Sequence, residues 1–331
     1  MNKQYPVIDL HCDLLEYLQR IPGSDPFEKG KIGCSFPALA EGNVALQVLA
    51  IFTKTEKGSS RSALQQSRIF KDLVADHQNR LMLIKCADDI ETALPSNRIG
   101  ILAAIENASG FCEEEDSLDD GFMKLEEIIS NTEKVLYISL THHEQNRFGG
   151  GNNSTAGLKE DGKVLLDYID GKKIAIDFSH TSDALAIEIL AYHTKKNLDI
   201  PLIASHSNYR EIFYHQRNLP DELAKEINSR KGLIGINFLR AFINDRDSNA
   251  MYDHIDYGLK LGGADSICFG ADFCDTASHP DQSRKPFYFE EQKDASCYPS
   301  ILNTLSGRIS KELVEGISHK NVLDFIRRIY D

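Results

Sequence analysis

The sequence predicts an α/β protein folded as a closed (β/α)8 barrel, and three features point there. Eight β-rich runs bounded by Gly, Pro, Asn or Asp recur along the chain, at residues 6–11, 43–52, 99–106, 134–142, 173–179, 201–206, 233–239 and 266–272. Segments with helical periodicity separate them. Five of the apolar runs end on a side chain able to bind a cation, and barrels of this kind keep their chemistry at the C-terminal ends of their strands. An open doubly wound sheet alternates in the same way and is the structural alternative.

The first run, PVIDL, leads into His11 and Asp13. Strand alternation places those two on one face and turns Cys12 away from them. The second run is followed by the helical pattern SALQQSRIFKDLVADHQNRL, and LMLIK at 81–85 is a ninth apolar run, either an extra strand beside the barrel or part of a long crossover. GILAAI ends on Glu106, and after the helix FMKLEEIISNTEK the run VLYISLT ends on His142. His143 alternates to the other face and is left outside the site. Next come the helix GKVLLDYIDGK, the run KIAIDFS ending on His180, the helix SDALAIEILAYHTKK opened by a serine cap, and PLIAS ending on His206. The helix DELAKEINSRK and two further strands complete the series, the last ending at Asp272. Loops at 54–62, 112–120, 147–157 and 274–299 follow the second, third, fourth and eighth runs, which puts them at the active-site rim. RFGGGNN lacks the Lys-Ser/Thr ending of a phosphate loop, so its glycines read as turn geometry or lid flexibility.

A length of 331 residues suits one barrel domain spanning 1–331, with no Pro- or Ser-rich linker to divide it. With 37 basic against 50 acidic residues the net charge is −13, which argues against nucleic acid and anionic membranes as partners and for a small molecule. No apolar stretch has the length of a signal peptide or a membrane span, so a cytoplasmic location is expected. The seven cysteines show no CxxC and sit mostly in apolar runs, as reduced thiols would.

His-x-Asp at one strand end suits a divalent ion bound through nitrogen and oxygen. Glu106 ends a strongly apolar run, where a carboxylate is costly to bury without a cation. The donor arithmetic gives two ions, one on His11, Asp13 and an oxygen of Glu106, the other on the second oxygen of Glu106 with His180 and His206. Two ions ~3.5–4 Å apart can hold between them a hydroxide nucleophilic at neutral pH, which points to hydrolysis of an unactivated carbonyl derivative. The donor mixture indicates Zn2+, with manganese or cobalt compatible with the same set.

HCD, the Glu of ILAAIE, YISLTHHEQN, IDFSHTS, PLIASHSNYREIFYHQRNLPDE and CFGADF occur in the order of the motifs of the renal (membrane) dipeptidase family, peptidase family M19, and the chain resembles that family from about residue 6 to at least residue 275. The resemblance implies a zinc-dependent dipeptidase with a binuclear centre in a (β/α)8 barrel, and a dipeptide (L-L or L-D) as the substrate. It implies that His11, Asp13, Glu106, His180 and His206 are the metal ligands. It further implies that His142 polarises the scissile carbonyl, that Arg217 holds the substrate carboxylate, and that Asp272 passes a proton to the leaving amine. Family members are often dimers, although no apolar helix face in this sequence marks a homodimer interface. Asn107-Ala108-Ser109-Gly110 departs from the glycine that many members carry after the glutamate. Two other readings stand beside the dipeptidase: an amidohydrolase acting on another small amide, such as an N-acyl amino acid or lactam, and a non-catalytic metal- or peptide-binding barrel.

Overall fold

The computed structural model describes residues 5–93, 96, 98–277 and 281–330. Its strands are β1 (Val7–Cys12), β2 (Val44–Phe52), β3 (Leu81–Leu83), β4 (Ile99–Glu106), β5 (Val135–Ser139), β6 (Ala175–Asp177), β7 (Leu202–Ile203), β8 (Ile234–Ile236) and β9 (Ile267–Phe269). They pair in parallel in the order β7-β6-β5-β4-β2-β1-β9-β8. A parallel bridge between Ala204, just past β7, and Ile234 of β8 joins the two ends. The Ala204 N–H donates to Leu233 O and the Gly235 N–H to Ala204 O, both at 2.8 Å. The ring is therefore closed, as the barrel reading expects, and the open-sheet alternative falls. LMLIK supplies β3, which pairs with β4 outside the ring as an extra strand.

Each stave is covered on both faces, which is why the strands read as continuous apolar runs; all eight residues of β4 are buried. Ile8, Leu10, Leu46, Val48, Leu102, Ala104 and Ile203 fill the ring's interior together with Val322, Phe325 and Ile326 of the helix Asn321–Tyr330. That helix seals the N-terminal end, where the Tyr330 hydroxyl and the Arg328 guanidinium donate to the carbonyls of Val135 and Lys231. The opposite end is left open to chemistry. A second apolar layer packs the outer faces of the staves against the surrounding helices, among them Ser59–Asp76, Leu118–Thr132 and Asp183–Lys196. Serine caps set two of these starts: the Leu185 N–H donates to Ser182 Oγ at 3.0 Å and the Asp120 N–H to Ser117 Oγ at 3.1 Å. Among the described residues no helix is long and apolar enough to cross a membrane.

Several staves are shorter than their apolar runs. The run 134–142 contributes only Val135–Ser139 to the sheet, and 173–179 only Ala175–Asp177. Past those points the backbone leaves the ladder.

Candidate active site

Four staves leave the ladder by the same local device, an Asp or Asn whose side chain accepts the N–H two residues on. Asp9 takes His11 N at 2.9 Å, Asn107 takes Ser109 N at 3.2 Å, Asp177 takes Ser179 N at 3.0 Å, and Asn237 takes Leu239 N at 2.7 Å. In β1 the register slips between Asp9 and Cys12. Val7 packs in the outer layer, so strict alternation would send His11 outward; the slip brings it to the pore, while Cys12 returns to the outer layer. Two further site residues, His180 and Asp272, sit at φ values of 70° and 63°, a left-handed region that costs a side-chain-bearing residue about 1–2 kcal/mol. Their exceptional backbones place them at the site.

The predicted ligands converge. His11 Nε2 lies 3.4 Å from Glu106 Oε2, 3.6 Å from Asp13 Oδ1 and 3.8 Å from Asp272 Oδ1. On the other side Glu106 Oε1 lies 2.9 Å from His180 Nε2 and 3.5 Å from His206 Nε2, and these two nitrogens are 3.1 Å apart. The two oxygens of Glu106 therefore face different donor groups. The groups within reach of a single ion cut across that division: His11, Glu106 and His206 form one set, and His11, Asp13 and Asp272 form another.

Second-ring contacts fix which nitrogen each imidazole offers. The Tyr137 hydroxyl donates to Leu10 O at 3.0 Å, so at 2.6 Å it must accept a hydrogen from His11 Nδ1. By the same logic Ser205 Oγ donates to Asp177 Oδ2 at 2.7 Å and accepts from His206 Nδ1 at 2.6 Å. His180 Nδ1 donates to Asn152 Oδ1 at 3.3 Å. All three rings thus turn Nε2 toward Glu106, the arrangement metal-binding histidines require. His11 Nε2 and Asp13 Oδ1 are buried and have no hydrogen-bond partner, and the donor set of imidazole and carboxylate fits a zinc-like ion.

The electrostatics agree. Burial holds His180 and His206 well below the ordinary imidazole range, which keeps them neutral donors. Burial opposes charge on Glu106, yet His11, His180 and His206 hold its carboxyl well below the usual range. Burial alone would lower His11, but Tyr137 and Glu106 drive it well above its ordinary value. Burial pushes Asp13 up to about 6 and Asp272 up to about 7, with the neighbouring carboxylates adding to both. Three buried carboxylates around one imidazole call for positive charge, which a divalent ion would bring.

A cavity of about 380 Å³ opens over this cluster, a size typical of small-ligand sites. Its floor includes Asp13, Glu106, His142, His180 and Asp272, and Phe52, Leu239, Phe242 and Phe287 form apolar walls. His142 packs between Phe52 (ring centroids 4.7 Å) and His180 (4.2 Å), and burial lowers it to about 3, so it is a neutral N–H donor. Asp272 Oδ2 accepts from Asn237 Nδ2 at 2.8 Å. Arg217 is 3% exposed, with Nη1 donating to Ser207 Oγ at 2.9 Å and Nη2 to His206 O at 3.2 Å. Its guanidinium lies over the Phe242 ring at 5.5 Å, and its Nε–H is buried without a partner.

Two expectations need correction. His143 lines the cavity and forms a third candidate metal-holding set with His142 and His180. The exclusion assumed strand alternation through residue 143, but β5 ends at Ser139 and the chain turns beyond it. Of the two readings of the glycines of RFGGGNN, turn geometry holds and lid flexibility does not fit: Gly149, Gly150 and Gly151 are buried, and a Cβ on Gly151 would stand 2.2 Å from His142 O. That close approach brings in Asn152, which accepts from both His143 Nδ1 (3.0 Å) and His180 Nδ1 and was missed in the sequence. Asn107 adopts φ 76°, a conformation that glycine or asparagine enters most readily, which accounts for the departure from glycine there.

A model of the membrane dipeptidase family (peptidase family M19) matches residues 1–331. Among curated relatives, a protein of the pqqA 5′ region in Klebsiella pneumoniae is 29% identical over 282 residues, covering 80% of this chain and 95% of that protein. Dipeptidase tcpJ of Claviceps purpurea is 24% identical over 313 residues, covering 88% of this chain and 68% of that one. Among solved structures, a metallo peptidase from Rhodobacter sphaeroides liganded with a phosphinate mimic of L-Ala-D-Ala superposes with a TM-score of 0.82 at 18% identity, over 98% of this chain and 99% of that one. A probable dipeptidase, PvdM, from Pseudomonas aeruginosa gives 0.79 at 16% identity, over 99% and 96%. Likeness at such identity establishes the shared barrel, while the full-length family match reaches further: the chain belongs to the membrane dipeptidase family, peptidase family M19, and is a metallo-dipeptidase.

Proposed function

We propose that this protein hydrolyses small dipeptides, L-L or L-D, at a centre of two divalent ions, with zinc the first candidate. The observation that carries the reading is Glu106, whose two oxygens face separate donor groups at 2.9 and 3.4 Å. His11, Asp13 and Glu106 Oε2 would hold one ion; Glu106 Oε1, His180 and His206 would hold the other. When bound, such a pair supplies Lewis-acid charge and a water acidic enough to attack a carbonyl at neutral pH.

The remaining roles fall to His142 and Asp272, which line the cavity, and to Arg217, buried behind Phe242. Neutral His142 donates a hydrogen bond to the scissile carbonyl, an interaction that strengthens as negative charge develops on that oxygen. Asp272 accepts the proton of the attacking water and delivers it to the departing amine; burial raises its carboxyl, and a nearby cation would favour the ionised form that accepts the proton. Arg217 holds the substrate's α-carboxylate, which limits substrates to those ending one residue beyond the scissile bond. The apolar walls formed by Phe52, Leu239, Phe242 and Phe287 would limit the water reaching the carbonyl.

Metal content of the purified protein, followed on the same sample by turnover of L,L and L,D dipeptides before and after chelation, tests the reading. About two equivalents of zinc with chelator-sensitive cleavage is expected. A metal-replete protein inert toward a broad dipeptide panel would sink it.

A further inference from the structure

Two cations on the cavity wall have no assigned task. Arg20 is engaged by Glu16 (Nε to Oε1, 2.5 Å) and Asp275 (Nη2 to Oδ2, 2.7 Å), which uses the two outer carboxylates of the wall. Asp13, Glu106 and Asp272 face the histidine cluster. Lys54 and Arg284 also line the cavity, and among the described residues neither has a carboxylate oxygen within 4.0 Å.

Arg284 is an exposed residue at the cavity rim. It ends a short 3-10 turn, Gln282–Arg284, whose start is fixed by Ser283 N–H donating to Asp281 Oδ1 at 3.1 Å. Its guanidinium lies over the ring of Phe287 at 5.6 Å, and that ring is itself part of the cavity wall. The side of the cavity is also defined. Phe242 and Leu239 line it beside Arg284, and Arg217 stacks on Phe242. His143 and His215, lowered first by burial, both feel the charges of Arg217 and Arg284, so both guanidiniums lie near the same two imidazoles.

We infer that the preferred substrates are dipeptides whose C-terminal residue carries an acidic side chain, with Arg284 as the specificity-determining residue. The inference rests on the dipeptidase reading. A dipeptide with neutral side chains brings one carboxylate, which Arg217 takes. An aspartate or glutamate at that residue brings a second carboxylate a few bonds away, within the reach that separates neighbouring side chains. A guanidinium fork suits it, being planar, weakly hydrated and able to bind both oxygens. Lys54 adds positive potential at the mouth and favours entry of the more anionic substrate.

The test compares kcat/KM for Ala-Glu and its uncharged isostere Ala-Gln, with Ala-Ala as reference, using enzyme of verified metal content and both stereoisomers at the second residue. Ala-Glu is expected to exceed Ala-Gln about two- to fivefold, the range of an exposed ion pair with good geometry. Arg284→Gln should bring that ratio close to one, whereas Lys293→Gln, a cation outside this cavity, should leave it in place. With the order reversed, Glu-Ala and Gln-Ala should differ by less than twofold. Cleavage of Ala-Ala with equal rates for Ala-Glu and Ala-Gln would overturn the acidic preference and leave the dipeptidase reading standing. A preference that persists in Arg284→Gln would overturn the assignment to Arg284, and failure to cleave any of these peptides would overturn the dipeptidase reading itself.

Discussion

Replacing Ser205 with Ala should separate the two halves of the candidate metal centre. The Ser205 hydroxyl is fully buried, accepts from His206 Nδ1 at 2.6 Å and donates to Asp177 Oδ2 at 2.7 Å. Without it the His206 Nδ1–H loses its acceptor in a dry environment, a loss of about 1–3 kcal/mol. Asp177 fares better, because it keeps Ser139 Oγ at 2.7 Å, Ser179 N at 3.0 Å and Ser205 N at 2.7 Å; its share is about 1 kcal/mol. The metal-free protein should thus lose about 2–4 kcal/mol, measured by urea denaturation. The imidazole also becomes free to rotate or change tautomer, which typically weakens a bound ion about 10- to 100-fold. Only the ion on the His180 and His206 side should suffer, since His11 is held independently through Tyr137. Competition titration against a chromophoric chelator resolves the two binding steps. Equal weakening of both steps, or of neither, would refute the assignment of His206 and His11 to different ions.

Arg217→Met should raise KM for dipeptides by about 10- to 100-fold with a smaller fall in kcat, as expected for a group that binds the unreacting carboxylate; steady-state kinetics on Ala-Ala reads both. Asn107→Ala should destabilise more than Asn107→Gly by about 1 kcal/mol in thermal unfolding, because both lose the bonds to Thr53 O (2.9 Å) and from Asn146 Nδ2 (3.0 Å) but only alanine is strained at φ 76°. Buried His254 accepts from Tyr209 N at 3.2 Å and donates to Ile243 O at 3.1 Å, and burial lowers it to about 4. Below pH ~6.5 the unfolded chain binds this proton and the folded one does not, so stability falls as pH drops from ~6.5 towards about 4, by about 3 kcal/mol in all. His254→Gln should remove about one proton's worth of that slope, read from urea midpoints of wild type and variant across pH 4.5–7.

The ring and its candidate ligand positions were legible because the physics that makes them is periodic. A stave buried on both faces must be apolar, and a polar residue directly after it must be a rim residue, so Glu106, His180 and His206 announce themselves in the sequence. The extra strand β3 was visible as an apolar run, but its pairing with β4 outside the ring was not. What stayed hidden depended on departures from periodicity. His143 enters the site because the ladder stops at Ser139, and nothing in YISLTHH marks that stop. His11 reaches the pore through a slip that Asp9 creates by capturing the His11 N–H. A signal for this existed: Asp or Asn at the end of an apolar run, two residues before a kink, recurs at Asp9, Asp177 and Asn237. Asn152 had no such signal, since its position depends on three buried glycines packing a loop against distant backbone. Arg284 reaches the cavity from a segment with no periodicity at all.

The bridge between Ala204 and Ile234 is the narrowest joint of the wall, and His206 follows it by two residues. β7 contributes only Leu202 and Ile203 to the sheet, so little ladder holds this joint. Gly235 and Gly270 let the neighbouring backbones close on Ser205 O, where a Cβ on either would stand within 2.0 Å of that oxygen. Sealing the barrel at this joint thus fixes the backbone from which His206 projects. A sheet that has curled but not yet sealed already carries His11, Glu106, His180 and, through the pairing of β7 with β6, the strand that leads to His206, which stands beside the open edge. On the proposed function, an ion held by His206 would act as a clasp beside this joint, and its occupancy would report whether the cylinder is shut.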